Sequence, residues 1–246
     1  MLNQLFLFAS VLLAYFVKGI TGFGNTLVMG SLFSFTVSNR ITTPVDLLFS
    51  IPTNLYIAWR ERKSISLKVV APLSLLLLLG IIPGTFLLKV GYDWLLKALL
   101  GLVVIGLALE MLMRKPPSDG TVRKNNPVVL FIIGFLSGIL AGLYGIGALL
   151  VAYISRTSPN KSAFRANICC VFLVENLFRL FLYGFTGFLG KDILLLTLFL
   201  SPAVIVGMFA GIKAEARMNE KAVRKAVILL LMASGTLLLL KSLLIH

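Results

Sequence analysis

A chain of 246 residues that is 59% hydrophobic and only 13% charged cannot be a soluble domain, which needs charged side chains over about a quarter of its length to cover its surface. The net charge of +14 does not point to a nucleic-acid partner, because the basic residues lie between apolar runs and form no aromatic-interleaved basic domain. Cys169 and Cys170 are adjacent in an apolar run. They lack metal-ligand spacing and cannot build a disulfide framework, so they read as small core- or lipid-facing residues, and neither metal nor cofactor is expected.

Taken in chain order, the first apolar run, Leu2 to Val17, resembles a secretion signal only in length. It has no basic residue ahead of it and no small-residue cleavage site behind it, and it runs straight into Lys18 and Gly19-Ile20-Thr21-Gly22-Phe23-Gly24. Residues 3–38 are therefore read as one broken segment, followed by spans near 44–60, 69–88 and 93–113. Arg114 to Asn126, with Pro116, Pro117, Asp119 and Gly120, is a cytoplasmic linker. A second broken segment, 127–157, holds Gly142-Leu143-Tyr144-Gly145-Ile146-Gly147, and spans follow near 164–188, 192–212 and 222–243. Val69 to Leu88 and Ile193 to Ile212 are uncharged runs of 20 residues, and Val128 to Ser155 is one of 28. About 20 helical residues cross a ~30 Å hydrocarbon layer.

The two glycine clusters share the spacing G-x-x-G-x-G at a displacement of 123 residues, at which Gly84 also meets Gly207 and Phe86 meets Phe209. Gly106 and Gly235 correspond at 129, which an insertion of six residues near Lys213 to Glu220 explains. The chain thus divides into a first repeat, 1–113, and a second, 127–246. If each broken segment enters and leaves on one side, 16 Lys and Arg collect on one face, within 60–68, 114–124, 156–165 and 213–225, against 5 on the other (Arg40, Lys89, Lys97, Lys191 and Lys241). If each crosses once, the split is 10 against 11. Short cytoplasmic loops are enriched in Lys and Arg, so the first arrangement is preferred, with both termini non-cytoplasmic. Three crossings plus a returning segment per half make an inverted repeat, the symmetry of many secondary transporters. The expected fold is all-α and polytopic, with two inverted-topology repeats, each a glycine-broken (re-entrant or split) segment plus three spanning helices.

Three glycines in six residues destabilise a helix by about 1 kcal/mol each relative to Ala and let the chain turn. The arms flanking the first cluster, about 16 and 14 residues, would be roughly 20–25 Å long as helices, short for a full span. Two half-helices meeting at depth fit better, and the N-terminus of such a half-helix suits an anion. The plainer reading is close helix packing at small residues. In the inverted scheme Gly19 to Gly24 and Gly142 to Gly147 approach each other about a two-fold axis in the membrane plane. A dinucleotide fingerprint is excluded, since the glycine order is wrong and no strand precedes it.

Among polar residues in apolar surroundings, Lys18 either attracts an anion beside the first cluster or snorkels to the interface. Glu175 and Arg179, four apart on one helix face, pair as a structural ion pair or supply a coupling carboxylate. Asn54 and Asn176 hold similar places in the two halves and either line a polar cavity, with Thr21, Asn25, Thr53 and Tyr144, or bridge helices. Arg40 with Asp46, and Arg165 with Asn167, lie near predicted span boundaries. They read as interfacial charges, with gates as the alternative. Pro44, Pro52, Pro83 and Pro202 lie in or beside spans, where kinks are tolerated.

On GITGFG, the second-half GLYGIG after a linker, IPTN at Ile51 to Asn54 and PGTF at Pro83 to Phe86, the sequence resembles the TauE/SafE sulfite-exporter family of membrane permeases. The pattern covers nearly the whole chain. It departs at Ala148, where many members carry a further glycine after the second cluster. The resemblance implies a secondary transporter of sulfite, sulfonates or related organic or sulfur-containing anions in the bacterial inner membrane. It assigns substrate-binding roles to Lys18, Gly19, Thr21, Gly22, Gly24 and Asn25 in the first half, and to Gly142, Tyr144, Gly145 and Gly147 in the second. Asn54 and Asn176 join them. A proton or sodium ion is the expected coupling partner, with Glu175 and Arg179 as coupling or ion-pair residues. The alternatives are an anion channel through the same breaks and an intramembrane enzyme. The enzyme is disfavoured because the one histidine is the terminal His246 and the cysteines and carboxylates make no ligand set.

Overall fold

The computed structural model describes residues 2–90, 127–144 and 148–215 continuously, with scattered helical positions between 94 and 113 and between 228 and 240. The linker 114–126, residues 145–147 and most of the expected spans 93–113 and 222–243 lie outside the described residues. In chain order the helices are α1 (Leu2–Thr21), α2 (Asn25–Phe33), α3 (Asn39–Arg60), a 3-10 turn (Arg62–Ser64), α4 (Leu67–Val90), α5 (Pro127–Tyr144), α6 (Ala148–Thr157), α7 (Lys161–Thr186) and α8 (Lys191–Glu215). No strand occurs among the described residues. Four of the described helices are long and apolar enough to cross a membrane: α1, α4, α7 and α8. Their outward faces carry large apolar side chains, such as Leu195 at 65% and Leu198 at 71% exposure on α8, a surface that lipid covers and water would not. The protein is an all-α, multi-pass membrane protein.

The broken segments differ from the two short, similar arms expected from the sequence. In the first segment the arms are 20 and 9 residues, in the second 18 and 10. The first glycine of each cluster stays helical, so the long arm extends past it, and α1 at 20 residues reaches about 30 Å. Helix α3 has the length of a span at 22 residues, but Arg40, Pro44, Asp46, Pro52 and Asn54 keep it out of the apolar set.

Two compact units form, and each is assembled from segments far apart in the sequence. One contains α1, α2, α3 as far as Phe49, and α8; the other contains α3 from Ser50, the 3-10 turn, and α4 to α7. In the first unit α1 packs against α8 through backbone rather than side chains. A Cβ on Gly19 would fall 2.4 Å from Met208 O, one on Gly207 2.4 Å from Leu12 O, and one on Gly211 2.2 Å from Phe16 O. The second unit repeats the device between α4 and α5, where a Cβ on Gly80 would lie 2.2 Å from Phe135 O and one on Gly138 2.2 Å from Leu77 O. Gly84 and Gly142 meet in the same seam, the latter's Cβ position 2.6 Å from Ile81 O. Lipid is as apolar as a leucine face, so association here comes from close van der Waals approach, which only small residues allow.

Gly211→Ala should lower stability by about 1–3 kcal/mol, the usual cost of overpacking, because the Phe16 carbonyl it meets belongs to helix backbone and cannot swing aside. Gly184→Ala, at a helical position with open space around it, should leave the unfolding midpoint in detergent unchanged or slightly raised.

Candidate functional site: the first helix break

Helix α1 ends at Thr21 and α2 starts at Asn25, with Gly22 at φ 86° and Gly24 at φ 87° between them. Both angles lie in the left-handed region that glycine enters at no steric cost. The break is closed locally. Gly22 N donates to Lys18 O at 2.7 Å, Phe23 N donates to Thr21 Oγ1 at 3.2 Å, and Val28 N donates to Gly24 O at 3.1 Å to begin α2. The Thr21 hydroxyl lies 2.9 Å from Val17 O and 2.6 Å from Phe23 O, either of which can take its proton. Chain reversal across these residues brings the start of α2 back to the side of α1.

A buried polar cluster forms at that reversal. Tyr15 and Lys18 are three apart on α1 and so share a face. Asn25 and Thr26 open α2, and Asp46 comes from the second turn of α3. The Asp46 Oδ1 accepts hydrogen bonds from Tyr15 OH at 2.9 Å and Asn25 Nδ2 at 2.8 Å, while Oδ2 accepts from the Thr26 hydroxyl. Asn25 Nδ2 also lies 3.3 Å from Tyr15 OH, which joins the donors into one network. Lys18 is 1% exposed, with Nζ 5.6 Å from the centre of the Tyr15 ring, so it does not snorkel to an outer surface. Tyr15 in turn meets the Phe49 ring edge-on at 5.7 Å.

Of the residues singled out in the sequence, Lys18, Thr21, Gly22, Gly24 and Asn25 gather at this break. Gly19 and Gly142 sit instead in the α1–α8 and α4–α5 seams. Gly145 and Gly147 lie outside the described residues, as does the side chain of Tyr144. Asn54 and Asn176 are buried on α3 and α7, and Asn54 Oδ1 has no hydrogen-bond partner. Glu175 and Arg179 form a buried ion pair at 3.1 Å, and Arg179 also donates to Tyr183 OH at 2.9 Å.

Asp46 corrects the sequence reading. It is no interfacial charge: at 3% exposure it is the hub of the cluster, while Arg40 is exposed. Arg165 and Asn167 are likewise buried, and Asn167 Oδ1 accepts from Ser66 N at 2.8 Å, ahead of the first turn of α4. Tyr15 and Thr26 were not singled out at all. The available signal was that Asp46 is the one acidic residue among the first 60. A lone carboxylate in an apolar stretch needs donors, and the donors were the neutral hydroxyl and amide residues nearby.

A multi-pass helical protein with a buried cation and carboxylate at a glycine break has the build of a solute carrier, in which discontinuous helices form the site. Residues 7–238 match the sequence profile described as Sulfite exporter TauE/SafE, and the chain belongs to that family. It is therefore a membrane transporter. No curated protein and no solved structure matches the chain.

Because Gly24 has room for a Cβ, with Val17 Cγ1 the nearest atom at 3.5 Å, its requirement is one of backbone angle. Gly24→Ala should cost about 1–2 kcal/mol through the left-handed conformation alone, and Gly24→Asn should recover part of it, since Asn enters that region more readily. Thermal unfolding of the two variants in detergent checks the order.

Proposed function

We propose that the protein is a secondary transporter moving a small anion, sulfite or a sulfonate or a related sulfur-containing or organic anion, by alternating access. The observation that carries this reading is the buried Lys18, one position before the cluster and four before the left-handed Gly22. Its buried ammonium is a positive charge that an anionic solute can meet in surroundings where charge interactions are strong. Near it lie the Thr21 hydroxyl and the start of α2, the positive end of that helix's dipole. Gly22 and Gly24 allow the backbone to come close to a bound oxyanion. The Lys and Arg asymmetry of 16 against 5 supports both termini outside the cytoplasm, and the family resemblance supports the bacterial inner membrane as the location.

Counterflow in proteoliposomes, with radiolabelled sulfite and methanesulfonate as probes, tests the proposal. The wild type should show saturable exchange. Lys18→Gln should reduce it more than about tenfold, the scale of one lost charge-assisted contact, while Lys18→Arg retains more than Lys18→Gln. Non-saturating ohmic flux would favour a channel, and no flux of either anion through folded protein would sink the reading.

A further inference from the structure

In the unit that holds α1, α2, α8 and the start of α3, the buried charged side chains among the described residues are Lys18 and Asp46. Their charges cancel. The other described charges on the elements packed there lie outside the cluster. Arg40 is exposed at the start of α3, and α2 carries none. On α8, Lys191, Asp192, Lys213 and Glu215 stand at the two ends, the first three exposed and the last partly so. An anion arriving beside Lys18 would leave the site with a net negative charge, which buried surroundings penalise steeply. One proton entering with the anion restores neutrality.

Asp46 has the contacts to hold that proton. Two of its three donors, Tyr15 and Thr26, are hydroxyls, which can donate or accept, whereas the Asn25 amide nitrogen only donates. With a proton on Oδ2, the carboxyl donates to Thr26 Oγ1, and Oδ1 continues to accept from Tyr15 OH and Asn25 Nδ2. The same partners at the same places serve both charge states. Glu175 is placed differently: Arg179, which can only donate, holds its Oε1, so protonating that carboxyl would remove the charge that the ion pair rests on.

We propose that Asp46 is the proton-coupling residue and that the transporter carries one proton with each monovalent anion; this rests on the anion reading above. The proton comes from water on the side where the anion enters. It stays on Asp46 Oδ2 while the anion occupies the place beside Lys18, and is released to water on the far side with it. No bond within the anion changes.

The test uses the full chain in proteoliposomes. Methanesulfonate is the main probe because a sulfonate remains ionised, so any proton moved is the protein's; sulfite is the second. Wild-type vesicles should show counterflow without a gradient. With the outside acidic they should accumulate anion up to about tenfold per pH unit, the limit for one-to-one coupling, with matching proton entry reported by a trapped indicator. Asp46→Asn should keep counterflow, slowed by no more than about tenfold, yet stop at equilibrium in the pH gradient and admit no protons. Asp46→Glu should restore part of the gradient-driven uptake. Wild-type uptake without proton entry overturns the assignment, as does gradient-driven accumulation by Asp46→Asn. Loss of both activities in Asp46→Asn overturns it too, unless Asp46→Glu restores gradient-driven uptake. Absence of wild-type counterflow with either probe strikes the anion reading itself, and this assignment falls with it.

Discussion

Polar groups inside a membrane protein have to be satisfied by the protein itself, and that constraint governs both the seams and the site. Where helices meet at Gly19, Gly207 and Gly211, or at Gly80, Gly84, Gly138 and Gly142, backbones come so close that a single methyl group would collide with a carbonyl. Where the first helix breaks, each turn of the interruption finds a local bond: Gly22 to Lys18, Phe23 to Thr21, Val28 to Gly24. The break is tolerated because it closes on itself, and the side chains it brings together surround the one carboxylate in reach among the described residues. Irregular backbone persists in such a setting only when buried in protein or facing a wet cavity.

The two glycine-broken segments share architecture but not chemistry. At the displacement of 123 that aligns the glycine clusters, Tyr15, Lys18 and Asn25 fall opposite Gly138, Ala141 and Ala148. At the displacement of 122 that aligns Asn54 with Asn176, Asp46 falls opposite Ile168. The entire network at the first break therefore has apolar or glycine counterparts in the second. The second half carries its own charged pair, Glu175 with Arg179, which at the displacement of 122 fall opposite Thr53 and Ile57 of the first. Duplicated scaffolds diverge in this way when one copy of a position takes up a task that a single ion or solute needs only once.

Much of the fold was legible because hydropathy and glycine spacing act locally. The uncharged run at 193–212 is a helix for the same reason it is visible as a run. The arms of the broken segments were misjudged because three glycines look alike in a sequence. In the structure Gly19 continues its helix and packs against α8, whereas Gly22 and Gly24 take left-handed angles and end it. Which glycine packs and which turns depends on a partner helix far along the chain. Asp46 was misread for a related reason. Its position near a span boundary is a one-dimensional fact, and its burial follows from a chain reversal that places Asn25 beside Tyr15. Lys18 was easier, since a lysine next to a glycine cluster in an apolar run stands out without any tertiary knowledge.

The seams also set an order of events during synthesis. The glycine face of α4 meets its partner α5 after about 60 further residues, but that of α1 waits about 190 for α8, which at ~5–20 residues per second is roughly 10–40 s. Through that interval α1 lies with its groove against lipid, and its Tyr15 waits for a carboxylate partner that arrives only with α3. The nascent chain is thus most exposed to misassembly and quality control along α1, and the last long helix described is the one that locks it in place.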